Sequence, residues 1–344
     1  MNQRTRGADI EGMSRQWGNW SRHAEPVGST DPPPPAQRAS PRVLVATVLG
    51  VPLAPLYGLW LSYAIHHPPR PRRRKAPAEF GLDPDELWIK VPSANAPLHG
   101  WLCRGDPSRV VVLGHGIGLD KSHCLPYAQF LNQSGYTVVL FDFRNHGDSF
   151  RDRGILRFSR RFNEDVSTVA AHVRAMADYP DARIALYGVS FSAFPMLHSL
   201  TLLDGAVGAM ICDSGPGPDP ATTARNFLRS GFLPIPRLLR TGVAMTILEA
   251  IHSRATAVAV GLPDDWRPAP EQPSYDFPML FIGGDADVVV PADELRALAE
   301  SYPNAESLIV PEAEHMRTMT VAPDRYVTTV LDFLARTLGK PADG

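Results

Sequence analysis

Beyond Phe80, short apolar-rich runs alternate with longer helix-compatible segments, and this alternation constrains the fold more than any other feature. Glu86–Val91 and Leu98–Arg104 read as two strands joined by a Pro/Asn/Ala turn. Further strands are expected at Arg109–Leu113, Thr137–Asp142, the run opening at Arg183, Ala206–Cys212, Phe277–Ile282 and Ser307–Val310. Helices fit between them at Leu125–Ser134, Asn163–Ala177, Ala193–Leu203, Ala292–Ser301 and Pro323–Leu338. Strands alternating with helices after a hairpin-like start predict the α/β class, a mostly parallel sheet with helices on both faces.

The alternation lapses twice. Between Ser214 and Pro273 a proline-rich insert carries an apolar stretch, Leu238–Ile251, which Arg237, Arg240, Glu249 and Arg254 flank or interrupt. Those charges read as too many for a membrane span. A helical cap over the sheet, at about 214–273, is the expectation, with a long surface excursion as the alternative.

The other lapse is N-terminal. Residues 1–42 are polar, aperiodic and include Pro32-Pro33-Pro34-Pro35, the composition of a disordered or extended tail. Val43–Ile65 then runs 23 residues without a charge. About 20 apolar residues cross a bilayer core, so this segment is expected to be a single transmembrane helix, with a buried core helix as the alternative. Trp60 and Tyr63 suit one interface. A basic, Pro-rich linker over 66–79 follows. Its Arg70, Arg72, Arg73, Arg74 and Lys75 outnumber Arg38 and Arg42 before the span, which predicts a cytoplasmic C-terminal domain. The same run is expected to lie against anionic headgroups.

The charge balance, 34 basic against 36 acidic residues, offers no argument for nucleic acid. Cys103, Cys124 and Cys212 are widely spaced with no C-x-x-C, which argues against a disulfide framework or a zinc site. Neither a metal nor an organic cofactor is implied.

Within the strand–helix pattern, Arg183–Ala193 turns sharply through Gly188-Val189-Ser190-Phe191-Ser192. A serine on such a turn projects its hydroxyl above the sheet edge, and small residues are needed two before and two after it. Gly188 meets that need, and Ser192 stands where glycine is usual. A serine hydroxyl requires an adjacent base and a carboxylate to orient that base. Downstream, Gly284-Asp285-Ala286-Asp287 follows a strand, and His315 lies beyond the last strand. The order is therefore Ser190, Asp287, His315, with Asp285 and Asp213 as alternative acids. His115 and His146 read as structural loop residues, and Ser149 as a turn residue.

These motifs together resemble the α/β-hydrolase fold over Phe80–Leu338. Within it the chain is similar to the capped serine hydrolases of the lysophospholipase, monoacylglycerol lipase and serine-aminopeptidase-like group. The motifs are His115-Gly116 after the third strand, the D-x-R-x-H-G-x-S segment Asp142–Ser149, the elbow, and Gly284-x-x-Asp287 with Pro291. The resemblance implies Ser190 as nucleophile, His315 as base and Asp287 as orienting acid. It also implies an oxyanion hole from the amides of Ile117 and Phe191. The expectation is a membrane-anchored serine hydrolase of an ester, thioester or amide, with a lipophilic or acyl substrate. Alternatives are an acyltransferase or cyclase on the same triad, or a catalytically silent scaffold.

Overall fold

The computed structural model describes residues 41–339 apart from 71–73, 180, 204, 206, 241 and 274, and for 41–49 it describes the backbone alone. The tail read at 1–42 lies outside the described residues as far as residue 40, as do Arg72 and Arg73 of the basic run.

Among the described residues the strands are β1 Asp85–Val91, β2 Ala96–Cys103, β3 Asp106–Gly114, β4 Tyr136–Phe141, β5 Arg183–Val189, β6 Val207–Asp213, β7 Met279–Gly284 and β8 Ala305–Val310. They form one sheet in the order β1-β2-β4-β3-β5-β6-β7-β8. β2 runs antiparallel to β1 and β4, and the remaining pairs are parallel. Among the described residues the helices of seven or more residues are α1 Pro41–His66, α2 Leu125–Gln133, α3 Phe158–Ala175, α4 Ala193–Ser199, α5 Pro220–Arg229, α6 Gly242–Val260, α7 Ala292–Glu300 and α8 Pro323–Thr337.

Parallel strands buried on both faces must be apolar throughout, because successive side chains enter opposite layers. On β3, Val110 and Val112 join one core with α3, α4 and α7, whereas Val111 and Leu113 join the other with α2 and α8. Helix α3 starts at Phe158, earlier than the pattern suggested. Phe158 and Phe162, one turn apart and buried, anchor that extra turn beneath the exposed Arg160.

The insert after β6 supplies α5 and α6. Helix α6 begins after Arg237 and Arg240 and continues to Val260. This corrects the reading of the insert as too polar, since α6 is long and apolar enough to cross a membrane by length and composition. Its buried stripe, Ala244, Leu248, His252 and Thr256, packs instead on α1.

The segment read as a bilayer span is thus helical but not free-standing. Gly50, Ala54 and Gly58, spaced by four, let the two backbones approach closely. A Cβ on Gly58 would lie 3.0 Å from Leu248 O of α6, and one on Gly50 would lie 2.8 Å from Leu238 O in the turn that precedes α6. Thr256 Oγ1 donates to Ser62 Oγ at 3.1 Å, and Asn145 Nδ2 donates to the His66 carbonyl at 2.9 Å. The opposite face leaves Leu53, Leu56, Leu59, Trp60 and Tyr63 exposed. Arg70 and Arg74, expected against headgroups, turn inward. Arg70 donates to Ser149 O, and Arg74 pairs with Asp148 and Asp120.

Candidate active site

β5 ends at Val189, a 3₁₀ turn covers Ser190–Ser192, and α4 begins at Ala193. Ser190 has φ +54°, a conformation that costs a non-glycine residue about 1–3 kcal/mol and persists only where surroundings enforce it. Gly188 is required here, because a Cβ on it would lie 2.5 Å from Ala193 Cα. Ser192 replaces the usual glycine without loss of the turn. Its Oγ accepts from Val189 N at 2.7 Å and donates to Val189 O at 3.0 Å. Room for it comes from Gly114 on the neighbouring strand, where a Cβ would stand 2.6 Å from Ser192 Cβ.

Ser190 Oγ lies 2.8 Å from His315 Nε2, and His315 Nδ1 lies 2.8 Å from Asp287 Oδ2. All three are buried. The other carboxylate oxygen of Asp287 accepts from Val289 N at 2.8 Å and Val290 N at 3.0 Å. The loops after β5, β7 and β8 meet at one sheet edge because those parallel strands end together. Their nesting is tight: a Cβ on Gly284 would come 1.8 Å from Ala313 O.

The other acids go elsewhere. Asp285 is exposed and accepts from Glu312 N at 2.6 Å. Asp213 accepts from Tyr326 OH at 2.6 Å, Ser214 Oγ at 2.9 Å and Thr318 Oγ1 at 3.1 Å, and burial pushes its carboxyl up. Ser214 Oγ also accepts from Met316 N at 3.0 Å, so this buried cluster braces the histidine loop from behind.

Ile117 and Phe191 both line the cavity that contains Ser190 and His315. Among the described residues, neither amide donates to a backbone acceptor outside the regular elements. His115 Nε2 accepts from Phe143 N at 3.2 Å, which leaves Nδ1–H to donate to Gly116 O at 2.8 Å. His146 Nε2 accepts from Gly118 N at 3.2 Å, and its Nδ1–H donates to Arg144 O at 2.9 Å. Burial lowers both imidazole pKa values, that of His146 to about 3. Both rings tie the Ile117 loop to the segment after β4.

That segment is a scaffold in its own right. Asp142 accepts from Lys121 N and Nζ, both at 2.7 Å, and from Asp148 N at 2.8 Å. Gly147 (φ +45°) has no alternative, as a Cβ there would fall 2.0 Å from Asp142 Oδ2. His99, Asp142 and Asp148 converge within ligand distance of one another, but the Lys121 ammonium already bridges the two carboxylates. Arg144, also buried, pairs with Asp165 at 2.6 Å and Glu164 at 2.9 Å. Ser149 Oγ donates to Asp142 O at 2.5 Å.

The cavity beside Ser190, of about 100 Å³, lies between the sheet edge and the cap. Its walls are mainly apolar: Phe191 and Phe194 from the elbow, Phe227 from α5, Val260 and Trp266 from the cap, and Ile65 from α1. The Phe194 and Trp266 rings stack with centroids 5.4 Å apart.

A family model described as the alpha/beta hydrolase family matches residues 110–329. The chain belongs to that family. Among solved structures it is similar to an esterase of Pyrococcus furiosus, at 22% identity and TM-score 0.62, covering 79% of this chain and 97% of that one. It is also similar to a thermophilic esterase of Thermogutta terrifontis, at 17% identity and TM-score 0.53, covering 74% and 99%. A third similarity is to the alpha/beta hydrolase GrgF of a Penicillium species, at 17% and TM-score 0.56, covering 75% and 99%. At these identities the likeness concerns fold alone. A search of curated proteins finds no match.

Two parts of this alpha/beta hydrolase site escaped the sequence reading. Ile65 and His66 of α1 wall the cavity, and Ser214 holds the histidine loop. The signal for the first was present in the Gly50, Ala54, Gly58 spacing, which marks a face made for another helix. For Ser214 there was none.

Proposed function

We propose that this protein is a serine esterase whose acyl-enzyme forms on Ser190. The observation that carries the reading is the relay from Ser190 Oγ through His315 to Asp287, with both links at 2.8 Å, opening on an apolar cavity. Val289 N and Val290 N fix the orientation of Asp287, whose Oδ2 accepts the Nδ1 proton of His315 and leaves Nε2 facing the serine. As Ser190 Oγ bonds to the ester carbonyl carbon, its proton passes to Nε2. The amides of Ile117 and Phe191 receive the developing oxyanion, an interaction worth about 2.7–4 kcal/mol per donor in such sites. His315 then returns the proton to the departing alcohol. A water, deprotonated by the same imidazole, releases the acid and restores the hydroxyl.

The apolar walls favour an acyl or other lipophilic group over a charged one. The finer resemblance, to the lysophospholipase and monoacylglycerol lipase group, rests on the sequence motifs, and apolar walls of this kind are consistent with it. We further propose association with a membrane, supported by the exposed apolar face of α1 beside α6. Hydrolysis of p-nitrophenyl esters of graded acyl length tests the reaction. Wild type is expected to cleave them with a preference set by chain length, and Ser190→Ala and His315→Ala to fall by three orders of magnitude or more. Equal turnover in wild type and Ser190→Ala would overturn it.

A further inference from the structure

We propose that the loop 151–157 and the adjoining outer face of α1 form a docking surface for an anionic lipid bilayer. The loop reads Arg151-Asp152-Arg153-Gly154-Ile155-Leu156-Arg157. Ile155 is 61% and Leu156 49% exposed, a poor arrangement for water. Its three arginines are exposed, and among the described residues none has a carboxylate partner. The acid of the loop does not neutralise them, since Asp152 is engaged by Arg144 at 3.1 Å and by Arg161. Arg151, Arg153 and Arg157 border a basin of about 550 Å³ beside Phe150, wide enough for headgroup phosphates. Apolar side chains interleaved with free cations match a surface whose phosphates lie above its acyl chains.

The loop is continuous with α1. His67 Nε2 lies 3.1 Å from Asp152 O, and the Tyr63 ring stacks on His67 at 4.1 Å. Leu53, Leu56, Trp60 and Tyr63 extend the exposed apolar strip from there. A two-fold contact centred on this loop would set the arginines of two copies against each other. Docking by this face brings the end of α1, where Ile65 and His66 wall the cavity, to the lipid–water boundary. The inference rests on the membrane association proposed above and assigns it to named residues.

The test is flotation of the full chain, carrying Ser190→Ala so that vesicles are not consumed, with phosphatidylcholine vesicles and with vesicles one third phosphatidylserine. The anionic vesicles are expected to bind about tenfold or more tightly and to release the protein in high salt. Arg151→Glu/Arg153→Glu/Arg157→Glu should lose about tenfold or more of that binding, and Ile155→Ser/Leu156→Ser should weaken it on both vesicle types. On the Ser190 background, each variant should cleave a soluble short-chain ester as wild type does, which shows that it is folded. If wild type binds and the arginine variant binds equally, membrane association stands and this surface is wrong. If wild type binds neither vesicle, or the arginine variants abolish a solution dimer instead, both the surface and the association fall. Failure of wild type to cleave any ester would be separate, and would sink only the esterase reading.

Discussion

Replacing Gly114 by alanine should disable the elbow without touching any residue of the relay. The added Cβ would stand 2.6 Å from Ser192 Cβ, 2.8 Å from Ser192 Oγ and 2.8 Å from Met196 Cε, where ordinary contact begins near 3.4 Å. The Met196 methyl can rotate away. Ser192 cannot, because its Oγ is bonded to both the amide and the carbonyl of Val189. The turn bearing Ser190 must therefore retreat by about 0.8 Å, the gap between 2.6 and 3.4 Å. Overpacking of this kind costs about 1–3 kcal/mol of stability, and a shift near 1 Å at a reacting group costs about 100-fold in rate. Ser192→Gly alone forfeits two neutral hydrogen bonds, about 1 kcal/mol each, and should leave most activity. The double variant Gly114→Ala/Ser192→Gly has room again and should recover about tenfold or more of the lost rate. The assay is a double-mutant cycle on ester turnover and on urea midpoint. Additive losses, with no recovery in the double variant, would refute the claim that Gly114 exists to admit Ser192.

Further outcomes follow from the same geometry. Asp287→Asn should lower kcat by about 10³–10⁴ while leaving the urea midpoint nearly unchanged, and Asp285→Asn, whose carboxylate is exposed and reaches only Glu312 N, should change turnover less than threefold by the same order-of-magnitude reasoning. Acid should unfold the protein early. His146 is neutral in the fold, its pKa lowered by burial to about 3, while in the unfolded chain it takes up a proton near pH 6.5. Its contribution is therefore complete above pH 6.5 and lost as pH falls toward 3, by about 1.4 kcal/mol per pH unit. His146→Gln should flatten the pH dependence of the unfolding free energy, measured by urea titration, by that amount. Gly58→Val should prise α1 from α6, since a Cβ alone already meets Leu248 O at 3.0 Å and Ile251 Cγ2 at 3.2 Å. Limited proteolysis would then cut α1 faster, and selectivity among acyl lengths should narrow.

The sheet was legible because parallel strands cannot hide their composition. β3, β4, β5 and β7 are buried on both faces, so each is a short apolar run bounded by turn residues. The edges were harder. Helix α3 opens on Phe158-Ser159-Arg160-Arg161-Phe162, where the two phenylalanines carry the helical period but the basic pair between them looked like loop. The gathering of Ser190, Asp287 and His315 could be anticipated because residues at the carboxyl ends of parallel strands share one edge. What packs on α1 could not be read in the same way. An uncharged helix satisfies lipid and a second helix equally well, and only the small-residue ridge at Gly50, Ala54 and Gly58 distinguishes a face committed to protein. Likewise the basic run after α1 has the composition of a headgroup-binding segment. Yet Arg70 and Arg74 are spent on Ser149 O, Asp148 and Asp120, whereas Arg151, Arg153 and Arg157 have no carboxylate partner among the described residues.

The most direct test of the account is covalent labelling with a fluorophosphonate, followed by peptide mass analysis of wild type, Ser190→Ala, His315→Ala and Ser149→Ala. The account predicts one adduct, on the peptide bearing Ser190, absent from Ser190→Ala, strongly slowed in His315→Ala and unchanged in Ser149→Ala, whose hydroxyl is committed to Asp142 O. A folded wild type that takes no label, or an adduct on any other serine, would contradict it.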